Sequence, residues 1–156
     1  MSQIEIDPGS FRDPAGQIYN YNNKILRILD EEGRNRFDFL KKNNLLENCI
    51  AKNFLIQSTE LKNDNLILEK FKNKIILEHK KLDYISYPYE WSFDQLKNAA
   101  IHHLDFHIFL LNNEATLLDA SAFNIQYNGH KTVFIDVLSI KKYEEGEYWK
   151  AHKQFC

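Results

Sequence analysis

Residues 119–136 read Asp-Ala-Ser-Ala-Phe-Asn-Ile-Gln-Tyr-Asn-Gly-His-Lys-Thr-Val-Phe-Ile-Asp. Three oxygen-bearing side chains punctuate this stretch: Asp119, Asn124 five residues on, and Asp136 after a further twelve. Between the last two, Asn128-Gly129 separates two strand-like runs, Phe123–Tyr127 and Thr132–Leu138, and is the strongest hairpin signal in the chain. A tight hairpin brings its two ends together, so Asn124 and Asp136 are expected side by side. Phosphoryl transfer uses such a set: one carboxylate takes or orients the proton of the acceptor hydroxyl, and an amide oxygen and a second carboxylate converge on Mg²⁺ as hard ligands. The expected roles are therefore catalytic for Asp119 and metal-binding for Asn124 and Asp136, with ATP as the nucleotide. A plainer reading stands beside it, in which Asp119 and Asn124 turn the chain and Asp136 closes a strand.

Working back from this stretch, Ser92-Phe93-Asp94-Gln95 matches a capping box, and Trp91 and Leu96 occupy the positions of a hydrophobic staple. Phe93, Leu96, Ala100, Leu104, Ile108 and Leu111 then recur at helical spacing as one continuous stripe, expected to face the core, until Asn112-Asn113. A long helix followed by the Asp, Asn and Asp spacing fits a protein-kinase-like or aminoglycoside-kinase-like arrangement. Tyr84–Glu90 would then be the hinge, with Tyr87 and Tyr89 lining the adenine side. Several features depart from that pattern. Leu117 stands where kinases carry a histidine, and Val137-Leu138 follows Asp136 where Phe-Gly is usual. Gly16 is the one glycine near the first hairpin, so the chain has no Gly-rich phosphate loop there. Lys24 and Arg27 are the best counterparts of the phosphate-pairing lysine.

The N-terminal half supplies the sheet. Met1–Gly9 reads as a mobile lead-in. Gln17–Tyr21 and Lys24–Leu29 flank Asn22-Asn23, a pair that tolerates the positive φ of a two-residue turn. A helix is expected after Asp30, with Phe37 and Leu40 inward, then a break at Asn43-Asn44 and a short helix over Leu45–Ala51. Asn53–Ser58 and Lys74–His79 read as extended, with Lys62–Asn65 a loop between them. Lys80-Lys81 suggests a hairpin to a further strand, Leu82–Tyr87, and the lysine-rich stretch Lys70–Lys81 reads as a solvated strand edge. The expected architecture is α+β, protein-kinase-like: a small antiparallel sheet plus helices. Residues 1–9 form the flexible lead-in, 10–90 a sheet-rich N-lobe-like part, and 91–156 the helix and hairpin of a truncated C-lobe-like part. Glu147–Cys156 starts a helix pattern that breaks off, which suggests a fragment whose exposed Trp149 and Phe155 promote self-association.

Composition bounds the alternatives. A chain of 156 residues, 44% hydrophobic and 27% charged, has the length and apolar content of one folded domain. Twenty Lys plus Arg against 22 Asp plus Glu give a net charge of −2, so no nucleic-acid footprint is expected. Two cysteines, no leader pattern and no apolar run of membrane-spanning length point to the cytoplasm. Cys49 is expected to pack as a small hydrophobe. His103 and His107 share a helix face with His102 behind them, but a zinc site lacks a third ligand in the sequence, and a boundary between core and solvent is the favoured reading.

Five segments carry a family resemblance: Ser10–Gly16 (Ser-Phe-Arg-Asp-Pro-Ala-Gly), Ile85–Phe93 (Ile-Ser-Tyr-Pro-Tyr-Glu-Trp-Ser-Phe), Asp119–Asn124, Val133–Asp136 and Trp149–Cys156. Together they resemble the N-terminal region of bacterial class I SAM-dependent methyltransferases, some related to nodulation proteins. The resemblance covers nearly the whole chain from Ser10. It implies a methyltransferase domain downstream as a partner in cis, with SAM bound there. The five glycines of this chain offer no SAM-binding turn of their own. The implied function is a kinase-like accessory domain that binds a nucleotide or small-molecule substrate and does not itself methylate. The alternatives are a non-catalytic scaffold or interaction domain, and a small-molecule phosphotransferase.

Overall fold

The computed structural model describes residues 4–10, 13–42 and 44–155. Phe11, Arg12, Asn43 and Cys156, and the first three residues of the expected lead-in, lie outside the described residues. The chain divides into two compact units, one of residues up to Asp38 with Gln57–Lys81, the other of Phe39–Ile56 with the residues from Leu82 onward. The division falls within helix α1, Glu31–Lys42.

The first unit is built on a five-stranded antiparallel sheet of β1 (Glu5–Ile6), β2 (Gly16–Tyr21), β3 (Lys24–Leu29), β4 (Ser58–Glu60) and β5 (Ile76–His79), in the order β1-β2-β3-β5-β4. Asn22 and Asn23 have φ of 47° and 64°, the two positive values a type I′ turn needs, so β2 and β3 pair from Tyr21↔Lys24 to Gly16↔Leu29 as the sequence implied. Gly16 is required by contact as well as by conformation. Its φ is 141°, and a Cβ there would lie 2.2 Å from the carbonyl oxygen of Ile28. Glu5 and Ile6, expected within a mobile lead-in, instead pair with Asn20 and Tyr19 as an edge strand.

Helix α3, Asn65–Lys70, is absent from the sequence expectations. Asp64 caps it by accepting the N–H of Ile67 at 3.3 Å, and its buried Ile67 joins Tyr21, Leu26, Ile28 and Ile76 in the core of this unit. The hairpin expected through Lys80-Lys81 does not form. Strand β5 already pairs with β3 on one side and β4 on the other, so it has no free edge for Leu82–Tyr87, which runs irregularly. For the same reason β5 is an inner strand, not the solvated edge that its lysines suggested.

In the second unit, Asn44 adopts φ 50° and leads into α2, Leu45–Ala51, which buries Leu45, Leu46 and Cys49. Helix α4 runs from Phe93 to Leu111, and its capping box is complete: Ser92 Oγ accepts the Gln95 N–H at 3.3 Å and Gln95 Oε1 accepts the Ser92 N–H at 2.9 Å. The face it buries is not the stripe read from the sequence. Ala99, His103, Phe106 and Leu110 turn inward, while Phe93, Leu96, Leu104, Ile108 and Leu111 are exposed. The helix is apolar on both faces, so periodicity could not choose between them. On the buried side Phe106 stacks on Phe54 and meets Phe134, both at 5.4 Å between ring centroids.

Beyond α4, β6 (Ala115–Leu117) pairs with β9 (Ile140–Lys142), and β7 (Ile125–Asn128) with β8 (Lys131–Phe134). The hairpin loop is Gly129-His130, one residue later than expected, with Gly129 at φ 66°. The C-terminal helix pattern shrinks to one turn, α5, Ala151–Gln154. Among the described residues, no helix is long and apolar enough to cross a membrane.

Candidate functional site

Pairing in the β7–β8 hairpin positions two of the three acid-amide residues. Ile125 faces Phe134, and the Ile135 N–H donates to the Asn124 carbonyl at 2.8 Å, so Asn124 and Asp136 flank the open end of the ladder. Asp119 joins them from the preceding loop, where its carbonyl oxygen lies 3.5 Å from the Asn124 side-chain amide nitrogen. All three are half-buried. The loop is held locally: the Asp119 carboxylate accepts the Ser121 N–H at 2.9 Å, and Ser121 Oγ accepts the Phe123 N–H at 3.2 Å.

Asp136 also has a structural duty. One carboxylate oxygen accepts the Leu138 N–H at 3.3 Å and the other accepts the Ser139 hydroxyl, capping the tight turn Val137–Ser139. The donor set, an amide oxygen and carboxylate oxygens at one hairpin end, has the hard character that Mg²⁺ takes. Leu117 is a core residue of β6, 1% exposed, and pairs with Ile140. Among the described residues, no three His, Cys, Asp or Glu side chains come together as a metal set.

The Tyr84–Glu90 segment is fixed by side chains that the sequence reading passed over. The buried amide of Gln126, on β7, accepts the Ser86 N–H at 3.0 Å and donates to the Ser86 carbonyl at 2.9 Å, taking the place of a neighbouring strand. The Trp91 indole N–H donates to Ser86 Oγ at 2.9 Å, and its ring meets Tyr127 edge-on. Glu90 accepts the Tyr87 N–H at 2.8 Å, closing a turn at Pro88–Glu90. Above that turn the rings of Tyr87 and Tyr89 lie parallel, centroids 5.4 Å apart and planes within 2°, both exposed. A glutamine inside a strand pattern was the one available signal for Gln126, and it was silent about the partner.

Lys24 and Arg27 belong to the first unit, and both are occupied there. Lys24 pairs with Glu78 at 2.9 Å on a half-exposed surface. Arg27 is buried on β3 and pairs with the carboxylate of Asp13, whose other oxygen accepts the Ala15 N–H at 2.9 Å.

Of the α4 histidines, His103 is a core residue, while His102 and His107 are half-buried at the boundary expected from the sequence. His103 is 1% exposed, stacked on Phe155 at 5.4 Å and facing His107 and Trp149, each at 6.3 Å. Among the described residues, neither of its ring nitrogens has a hydrogen-bond partner. Burial, reinforced by the neighbouring His107 and His102, pushes its pKa down to about 4. His102 is also lowered by burial, against the opposing pull of its hydrogen bond to the Phe54 carbonyl at 3.0 Å and of Asp105. Cys49 is fully buried and its thiol is pushed up to about 12 by desolvation, as befits a packing residue.

Known proteins resemble this chain in sequence and in fold. No protein-family model matches it. Nodulation protein NoeA of Rhizobium meliloti (strain 1021) is 38% identical over 150 residues, which are 95% of this chain and 31% of that protein. This chain thus spans about a third of the length of the curated relative it matches. Among solved structures, vaccinia related kinase 3 superposes with a TM-score of 0.56 at 16% identity, over 93% of this chain and 50% of that one. The fold is therefore α+β and protein-kinase-like, as the Asp, Asn and Asp spacing and the preceding helix implied.

Proposed function

We propose that this chain is a kinase-like accessory domain that binds a Mg²⁺–nucleotide within a larger protein of the SAM-dependent methyltransferase type, and is not itself a methyltransferase. The observation that carries the reading is the β7–β8 ladder, which closes with Asn124 and Asp136 at one end and Asp119 against Asn124. Asn124 and Asp136 would hold Mg²⁺ and Asp119 would face a small-molecule acceptor or substrate. When bound, the metal would neutralise phosphate charge. The stacked Tyr87 and Tyr89 offer an aromatic face to adenine. The phosphate roles of Lys24 and Arg27 compete with their pairing to Glu78 and Asp13, which favours binding over fast phosphoryl transfer. The cytoplasm, where nucleotides and SAM are made, is the matching location, and the methyltransferase domain in cis is the matching partner.

A second reading, a scaffold that keeps the shape without the chemistry, is favoured by one observation: Asp136 spends both carboxylate oxygens on its own turn. Calorimetry with MgATP, MgADP and SAM on the wild type, Asn124→Ala and Asp136→Ala separates the two. The proposal expects nucleotide binding that requires Mg²⁺ and is lost in both variants, with no heat from SAM. A folded wild type that binds neither nucleotide leaves the scaffold reading.

A further inference from the structure

Strand β3 carries a buried charge among apolar residues. In its run Lys-Ile-Leu-Arg-Ile-Leu, Arg27 lies opposite Ile18 of β2 and Leu77 of β5 and is 3% exposed. Taking a guanidinium out of water is costly, and a buried ion pair stabilises a fold no better than well-packed apolar residues of the same volume. Stability alone therefore gives no reason for an arginine at this position. The carboxylate that meets it comes from outside the sheet. Asp13, in the loop before β2, turns Oδ2 to the guanidinium, while its Oδ1 accepts the Ala15 N–H at 2.9 Å. The Asp13 backbone is tied on both sides, its N–H donating to the Ser10 carbonyl at 3.2 Å and its carbonyl accepting the Gly16 N–H at 3.4 Å. The Asp13 side chain is 27% exposed against 4% for Arg27, so the acid reaches the base from the solvent side.

We propose that Asp13 is a built-in stand-in for a ligand's phosphate, holding Arg27 in the free protein and giving way to the phosphate oxygens of a bound nucleotide. The identity of the ligand rests on the nucleotide reading above; the exchange rests on the ion pair, which lies wholly within the first unit. A planar guanidinium takes carboxylate and phosphate with the same fork geometry, so one replaces the other without rebuilding the site. Phosphate is the stronger partner. It carries more charge and brings all its oxygens, whereas Asp13 commits one oxygen to the Ala15 N–H. The displaced carboxylate is already beside water and regains hydration there, which lowers the cost of the exchange. Affinity is then set by competition: a phosphate must displace Asp13 from Arg27, so removing the Asp13 charge increases binding.

Calorimetry of the 156-residue chain with sodium tripolyphosphate, free of Mg²⁺ and of any base, tests the exchange apart from the hairpin end and the tyrosines. Asp13→Asn keeps an acceptor for the Ala15 N–H and removes the charge, and should bind at least ~10-fold more tightly than the wild type. Arg27→Gln in the same background should abolish the gain, and Arg27→Lys, which keeps the charge and loses the fork, should reduce it. Glu145→Gln, an equal change of charge at an exposed acid, should leave the wild-type affinity. Thermal melts give a second readout, in which tripolyphosphate raises the Tm of Asp13→Asn more than that of the wild type. A gain absent from Asp13→Asn, shared by Glu145→Gln, or kept by both Arg27 variants overturns the proposal. MgATP separates the exchange from the nucleotide reading. A wild type blind to MgATP, beside an Asp13→Asn that takes tripolyphosphate through Arg27, supports the exchange and withdraws the nucleotide. MgATP bound equally by wild type and Asp13→Asn supports the nucleotide and overturns the exchange.

Discussion

His103→Phe is expected to remove a pH dependence from the stability of the second unit. The wild-type ring is buried between His107, Trp149 and Phe155, with neither nitrogen paired among the described residues, so the protein holds it neutral. Its pKa is about 4 when folded against an ordinary 6.5 when unfolded. A depressed histidine pKa means the unfolded chain takes up a proton that the folded chain refuses. Stability is therefore complete above about pH 7 and falls as pH drops through 6.5 toward 4. Between about pH 7.5 and about pH 5 the loss from this one group is at most about 2 kcal/mol. Phenylalanine keeps the stacking and cannot titrate. At neutral pH its relief of two unsatisfied nitrogens, ~1–3 kcal/mol, is set against the strain of a larger ring. Urea unfolding of both proteins at the two pH values reads the effect of His103 together with its coupling to His102 and His107, because titrating groups remote from it cancel in the difference. The advantage of the variant over wild type should grow by up to about 2 kcal/mol on acidification. Parallel stability curves for the two proteins would refute the assignment of a buried, neutral His103.

Gly16→Ala should destabilise the five-stranded sheet by ~3 kcal/mol or more in chemical unfolding, since the new Cβ would collide with the Ile28 carbonyl at 2.2 Å and φ is 141°. Gln126→Leu should cost ~2–4 kcal/mol by leaving the Ser86 N–H and carbonyl buried without partners, and should shift the tyrosine fluorescence of Tyr87 and Tyr89. Cys49 should react with a thiol reagent only through opened molecules, so its labelling in the native state should be far slower than in the unfolded chain and should rise with urea concentration at fixed pH.

The parts of the fold that were legible in the sequence are those specified by local chemistry. Asn22-Asn23, Ser92 with Gln95, and the glycine at position 129 each satisfy their own backbone within a few residues, so the hairpins and the start of α4 followed from composition alone. What escaped was decided at a distance. Whether β5 would pair with Leu82–Tyr87 or with β4 depended on which edge was already taken. Which side of α4 faces inward depended on where Phe54 and Phe134 arrive, because the helix carries apolar residues on both sides. At the candidate site, the juxtaposition of Asn124 and Asp136 was legible because a hairpin enforces it. The capping of the Val137–Ser139 turn by Asp136 and the hold of Gln126 on Ser86 were not, since a side chain's partner leaves no trace in its own spacing.

The paired hydrogen bonds of Gln126 to Ser86 have a mechanical consequence. Because the amide hangs from the same β7 strand that follows Asn124, the tyrosine-bearing segment is hooked to the hairpin by side chains, Gln126 on Ser86 and Tyr127 against Trp91, and not by a ladder. Strand and hook form a lever. Strain applied at the Asn124 end would be delivered to Ser86 as a whole, and the amide proton of Ser86 is the place where such a load would first register.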